Sequence, residues 1–270
     1  MEANLRLSSF IQQRLGLACT LEEVEHCWGV LQTNSISVGG TTGRALFPLV
    51  SLLSHSCLPC LEPALAPSAE SGITLRARRT IKAGEELTMP YTDVLLEVRA
   101  RQENLQQEWH FSCTCPRCSD PSEAGSFFSS LQCTCGGFAT RQEDNTWKCS
   151  LCASDLPDMG SREAKVGELG RALELISTGD DINKLADQLD KVEGLHDNHW
   201  LRLRSNIRFS DLMAANSEEE IVRKVGAKSE AAIATLSLVD PGLSKLAGRS
   251  NFFFAIFDIL KMGEDSAMYC

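Results

Sequence analysis

The spacing of apolar residues changes repeatedly along the chain, and each change predicts a different element. Leu7, Phe10, Ile11 and Leu15 recur at helical spacing, and Thr20-Leu21-Glu22-Glu23 has the form of a capping box, so two short helices are predicted before about Val30. Ser35-Ile36-Ser37-Val38 alternates like a half-buried strand and ends at the turn signal Gly39-Gly40. Residues 45–53 are almost continuously apolar, the pattern of a segment buried on both sides, and they lead into Ser54-His55-Ser56-Cys57-Leu58-Pro59-Cys60. Alternation returns over 73–78, Ala83-Gly84-Glu85 turns, and 86–89 reads as another strand ending at Pro90-Tyr91. Leu95, Val98, Leu105 and Trp109 then set a helical period, which predicts a helix over 94–109.

Beyond a Pro/Ser/Gly linker at 121–126 the pattern becomes helical from about Ser161 onward. Leu169, Leu173 and Ile176 form one register, Ile182, Leu185, Leu189 and Val192 a second, and Ile221 and Val225 a third. Breaks at Gly179-Asp180-Asp181, Asp197-Asn198 and Asp240-Pro241-Gly242 predict stacked helical hairpins. His196 and His199 have no third ligand nearby in sequence and read as helix-turn packing groups.

A chain of 270 residues, 43% hydrophobic and 23% charged, can bury a substantial core in one or two domains. Its net charge of -10 argues against a nucleic-acid-binding surface. The locally basic set Arg76, Arg78, Arg79 and Lys82 reads as a solvated strand edge. No stretch reaches the ~20 apolar residues of a membrane helix, and Met1-Glu2-Ala3-Asn4 does not begin a signal peptide, so an intracellular, reducing setting is expected.

In that setting the 12 cysteines point to metal rather than to disulfides. Cys133-Thr134-Cys135 and Cys149-Ser150-Leu151-Cys152, separated by a loop with Gly136-Gly137 and Trp147, form a self-sufficient four-cysteine zinc site. Such a site is structural, because four thiolates leave no open position. Cys113, Cys115 and Cys118 supply only three ligands to another zinc, and Cys19, Cys27, Cys57, Cys60 and Cys270 are candidates for the fourth. Cys57 is preferred, since the apolar run before it would carry it into the core beside Tyr91.

Three stretches, 53–59, 84–93 and 109–118, together resemble the SET domain and post-SET region of SMYD-type protein lysine methyltransferases. They read Leu-Ser-His-Ser-Cys-Leu-Pro, Gly-Glu-Glu-Leu-Thr-Met-Pro-Tyr-Thr-Asp and Trp-His-Phe-Ser-Cys-Thr-Cys-Pro-Arg-Cys. The later cysteine ribbon is similar to one carried by arthropod members of that family. The resemblance covers about residues 5 to 152 well and the helical remainder loosely. It implies an α+β fold with a partial β-rich SET core, a zinc-bound post-SET region, a small four-cysteine ribbon and an all-helical C-terminal domain. The corresponding ranges are 1–95, 96–120, 121–155 and 160–270.

The resemblance further implies transfer of a methyl group from S-adenosylmethionine to a lysine on a histone or another protein, in the cytoplasm and nucleus. Tyr91 matches the active-site tyrosine, and Phe111 an aromatic beside the cofactor and lysine channel. Ser54, His55 and Asn34 fall at cofactor-binding positions, and Cys57 joins Cys113, Cys115 and Cys118 on zinc. Ser54 and Cys60 stand where the family motif carries asparagines, which predicts a cofactor hydrogen bond weaker by ~1 kcal/mol at Ser54 and a spare thiol at Cys60. The family's Gly-rich first strand and MYND zinc finger are not found in residues 1–40, so the chain is expected to start inside the SET domain. A zinc-stabilised interaction scaffold without catalysis is the competing reading. A RING-like ligase fits poorly, because the ribbon closes on itself.

Overall fold

A computed structural model describes residues 9–10, 12–14, 16, 20–38, 43–65, 72–142, 144, 146–177, 179–213 and 239. The positions Leu7, Ile11, Leu15, Gly39-Gly40, Ile221, Val225 and Pro241-Gly242, on which some expectations rest, lie outside that set. The chain divides into two compact units, one of 1–55, 59–89 and 104–111, the other of 56–58, 90–103 and 112–270.

In the first unit, helix α1 (Leu21–Asn34) starts where the capping box predicts. Thr20 Oγ1 accepts from the Glu23 amide at 3.2 Å, and the Glu23 carboxylate accepts from the Thr20 amide at 2.7 Å. The helix runs four residues past Val30 before strand β1 (Ser35–Val38) pairs antiparallel with β2 (Gly43–Leu46). The apolar run at 45–53 is not buried on both sides. It breaks into the end of β2 and a 3-10 turn, Val50–Leu52, which turns Val50 inward and leaves Leu49 and Leu52 82% and 79% exposed. Strand β3 (Ser54–His55) pairs parallel with β6 (Thr88–Met89), while β4 (Leu61–Leu65) and β5 (Ile73–Ala77) form an antiparallel ladder. Gly84, at φ +81°, makes the tight turn before β6.

Helix α2 spans Val98–Trp109. It begins later than the apolar period predicts because Asp93 captures the chain in a turn, accepting from the Leu95 amide at 3.0 Å through its side chain and from the Leu96 amide at 3.2 Å through its carbonyl.

The second unit contains the short helix α3 (Pro116–Ser119), the hairpin β7 (Ala139–Arg141) and β8 (Trp147–Cys149), and helices α4 (Met159–Leu175), α5 (Gly179–Leu189) and α6 (Trp200–Met213). Its continuous core joins Leu169, Leu173, Leu185, Leu189 and Leu201 to Phe128 and Trp200. Gly170 is needed where it stands, since a Cβ there would meet the Trp200 ring at 2.6 Å. The break expected at Gly179-Asp180-Asp181 is instead the first turn of α5.

Residues 121–126 are not a slack linker. Asp120 accepts from the Ser122 and Ala124 amides at 2.8 and 2.9 Å, and the side chain of Glu123 is only 5% exposed. Glu123, Ala124 and Phe127 all have positive φ, a conformation that surrounding contacts must hold in place.

Candidate functional site

The first cluster forms where the Ser56-Cys57-Leu58 bend and the 112–118 loop meet. The Sγ atoms of Cys57, Cys113, Cys115 and Cys118 all lie within 4.8 Å of one another, with Cys118 and Cys57 3.5 Å apart. Tetrahedral zinc with bonds of about 2.3 Å places its sulfurs ~3.8 Å apart, so the four fit one ion. Pro116 starts α3, and the Cys118 amide folds back on the Cys115 carbonyl at 2.9 Å. The Cys115 amide points at Cys113 Sγ, 3.5 Å away, as a donor to a thiolate would. Contact with the Cys113, Cys115 and Cys118 thiols, and to a lesser degree burial, pushes the Cys57 thiol far up, so four thiolates need a cation to coexist there.

The second cluster is local. Cys133, Cys135, Cys149 and Cys152 bring their Sγ atoms within 4.8 Å of one another, and Cys135 lies 3.4 Å from Cys149. Gly136, at φ +89°, and Gly137 make the first knuckle, in which the Cys133 amide donates to the Gly137 carbonyl at 2.7 Å. A Cβ at Gly137 would sit 2.7 Å from Cys149 Sγ and 2.6 Å from Leu151 Cβ. The Leu151 amide donates to Cys149 Sγ at 3.4 Å, and hydrogen bonds from Ser154 draw the Cys152 thiol down to about 6. Both clusters therefore have the donor type, spacing and amide support of structural zinc sites.

Of the remaining candidates for the fourth ligand, Cys27 and Cys60 fall among the described residues. Cys60 belongs to the first unit, where its buried Sγ accepts from the Thr88 amide at 3.2 Å. Cys27 is exposed on α1, and Cys19 and Cys270 lie outside the described residues.

The residues expected at the cofactor fall in both units. In the first, His55 on β3 tilts towards Phe111, with ring centroids 6.0 Å apart. Ser54 precedes His55 on the same strand and is exposed. Asn34 ends α1, and both its amide hydrogens are committed, to the Val30 carbonyl at 3.1 Å and the Thr33 hydroxyl at 2.8 Å. Asn34 can therefore offer an acceptor but not a donor. Trp109 Nε1 ties the end of α2 to this helix by donating to the Thr33 carbonyl at 2.9 Å. Tyr91 is part of the second unit, and burial pushes its phenol up, so the hydroxyl keeps its proton at neutral pH and can donate.

Two supports of the first cluster were not predicted. Gln102 on α2 grips the backbone of Cys113 from both sides, donating to its carbonyl at 2.7 Å and accepting from its amide at 2.8 Å. Arg101 and Arg117 have fully buried side chains, and both face Glu123, at 2.8 and 3.2 Å. The signal for Arg101 was its position on the apolar stripe of α2, between Val98 and Leu105. Gln102 carries no such mark.

Residues 16–92 match the SET domain family. Over 123 residues the chain is 39% identical to the SET domain-containing protein SmydA-8, isoform B, of Drosophila melanogaster, covering 42% of this chain and 27% of that protein. It is 43% identical over 77 residues to the mouse histone-lysine N-methyltransferase SMYD3, covering 28% of this chain and 17% of that protein. To the human protein-lysine N-methyltransferase SMYD4 it is 32% identical over 127 residues, or 45% of this chain and 15% of that one. The chain thus spans less than a third of the length of these relatives. Residues 16–92 thus carry a SET-domain match, and the relatives most similar to this part of the chain include proteins named SmydA-8, SMYD3 and SMYD4.

Proposed function

We propose that the chain carries the SET and post-SET parts of an S-adenosylmethionine-dependent protein-lysine N-methyltransferase, acting on a lysine of a histone or another protein in the cytoplasm and nucleus. The observation that carries this reading is the SET match over 16–92 together with a four-thiol cluster that joins Cys57, inside that match, to Cys113, Cys115 and Cys118 beyond it. In this reading 1–95 is the SET part, 96–120 the post-SET zinc region, 121–155 a zinc ribbon and 160–270 a helical domain.

The cofactor supplies a methyl group on a sulfonium. In an in-line displacement, the lysine nitrogen's lone pair forms the new N–C bond, and the S–C bonding electrons leave with sulfur. The protein must then hold a neutral amine in line and keep water away. Tyr91, protonated at neutral pH, would orient the reacting groups through its hydroxyl. His55 and Phe111 offer an aromatic surface, Asn34 an acceptor oxygen and Ser54 a hydroxyl for the cofactor. The zinc at Cys57, Cys113, Cys115 and Cys118 would pin the post-SET loop, and the ribbon zinc would hold Cys133, Cys135, Cys149 and Cys152.

The test is transfer of labelled methyl from S-adenosylmethionine to histones and lysine peptides. Tyr91→Phe should lower kcat by roughly 10²-fold while both zinc ions are retained. Unchanged turnover in that variant would assign Tyr91 to packing. A chain that binds zinc but transfers no methyl to any lysine substrate would favour the scaffold reading.

A further inference from the structure

The second unit buries more positive than negative charge next to the first cysteine cluster. Arg101 and Arg117 side chains are fully buried, and Glu123 is the carboxylate that faces both. Two guanidinium charges against one carboxylate leave a net positive charge in the interior. Hydrogen bonds only partly satisfy it. Arg101 donates to the Leu96 carbonyl at 2.6 Å, Arg117 to the Val94 carbonyl at 2.7 Å, and Arg117 lies over the Phe128 ring at 5.1 Å. Among the described residues, the buried Nε atoms of both arginines find no hydrogen-bond partner. A buried cation of this kind needs a counter-charge, and arginine cannot become neutral to avoid the cost. Beyond Glu123, Cys118 is placed to provide one, since its Sγ lies 3.8 Å from Arg101 Nη2.

We infer that Arg101 is the counter-ion of the first metal centre, and that Glu123 sets how much of its charge the centre receives. When four thiols bind one zinc they release four protons, and the two positive charges of the ion leave a centre of net charge -2. Arg101 offsets part of that charge at van der Waals distance from a ligand sulfur, in an interior where screening is weak. Glu123 opposes it, by drawing the same guanidinium at 2.8 Å and adding a negative charge of its own.

The metal centre is thereby coupled to the 120–130 turn. Glu123 also accepts from the Ser129 amide at 2.8 Å, so the positive-φ backbone there is held by a residue whose partner faces the metal. Arg101 is a positioning residue, acting on the metal through its charge and not through a bond to it. The ribbon serves as an internal reference, since Cys135 and Cys152 are exposed to water.

The inference rests on the first cluster holding zinc, and its test separates the two claims. Zinc affinity is measured on the whole chain by competition with a chromophoric chelator, the ribbon site being assigned with a Cys152→Ser variant. Wild type should hold two zinc ions; a single ion, lost in Cys152→Ser, would remove the first site and with it the inference. Arg101→Gln should weaken the first site at least tenfold and leave the ribbon unchanged, and Arg101→Lys should recover most of that loss. Glu123→Gln should hold the first zinc as tightly as wild type or more tightly, although it removes a buried ion pair. A merely structural network predicts the opposite for Glu123→Gln, so equal weakening in Arg101→Gln and Glu123→Gln overturns the inference, as does equal weakening in Arg101→Gln and Arg101→Lys. The wild-type chain gives an arm that needs no substitution. Amide exchange over 120–130 should rise when chelator removes the first zinc, and unchanged protection there contradicts the coupling.

Discussion

Cys118 meets Cys57 across 61 positions of sequence, whereas Cys135 meets Cys149 across only 14. On loop length alone, closing the longer span costs about 1.3 kcal/mol more chain entropy. The ribbon offsets its small cost with a two-stranded hairpin and glycine knuckles, and exposes two of its four cysteines. The first cluster needs more: Gln102 gripping Cys113, two buried arginines, and a turn of left-handed residues held by Glu123. Identical ligand sets can thus serve different ends. One closes a local fold, and the other ties a remote SET segment to the loop that follows it.

The largest expected effect comes from cutting the long-range link. Cys57→Ser should release one zinc of two and cost several kcal/mol, because structural zinc contributes directly to folding, while the ribbon keeps its ion. Native mass spectrometry reads both outcomes, and loss of both ions would show that the clusters do not fold independently. A smaller, reciprocal effect is expected at the ribbon. Gly137→Ala forces a Cβ to within 2.7 Å of Cys149 Sγ and should cost about 1–3 kcal/mol in thermal denaturation, with weakened binding confined to the second zinc.

The smallest lever lies among the residues that hold the segment linking the clusters. Trp200 donates through its amide to the Phe128 carbonyl at 2.9 Å, His196 lies 2.8 Å from the Ser130 carbonyl, and buried His199 accepts from the Leu201 amide at 3.2 Å. Burial holds His199 well below its ordinary range, so the folded protein keeps it neutral when the unfolded chain, near pKa 6.5, already binds a proton. Stability is then fully present well above pH 6.5 and falls as the pH drops through and below that value. Melting curves from pH 7.5 to 5.5 should fall less steeply for His199→Gln than for wild type. Parallel curves would remove His199 as the source.

The comparison also explains what could be read from sequence. Both thiols of each ribbon pair are visible because their spacing is local, and the capping box at Thr20 is visible for the same reason. The partner of Cys113, Cys115 and Cys118 is not fixed by spacing, and preferring Cys57 relied on a burial pattern at 45–53 that the structure does not have. Glycine, serine and proline at 121–126 look like a linker, because composition cannot show that Asp120 and Glu123 will lock the turn. Arg101 and Glu123 are 22 positions apart, and only the folded chain brings them together. Long-range electrostatics is the part of this molecule that periodicity does not report.

The proposed activity requires a cofactor pocket, and its most direct test is calorimetric titration of S-adenosylhomocysteine into the zinc-loaded chain. One-to-one binding, weakened by substitution of His55 or Phe111, is the predicted result. A titration that yields no binding heat at several temperatures, with both zinc ions in place, would contradict the methyltransferase reading of this chain.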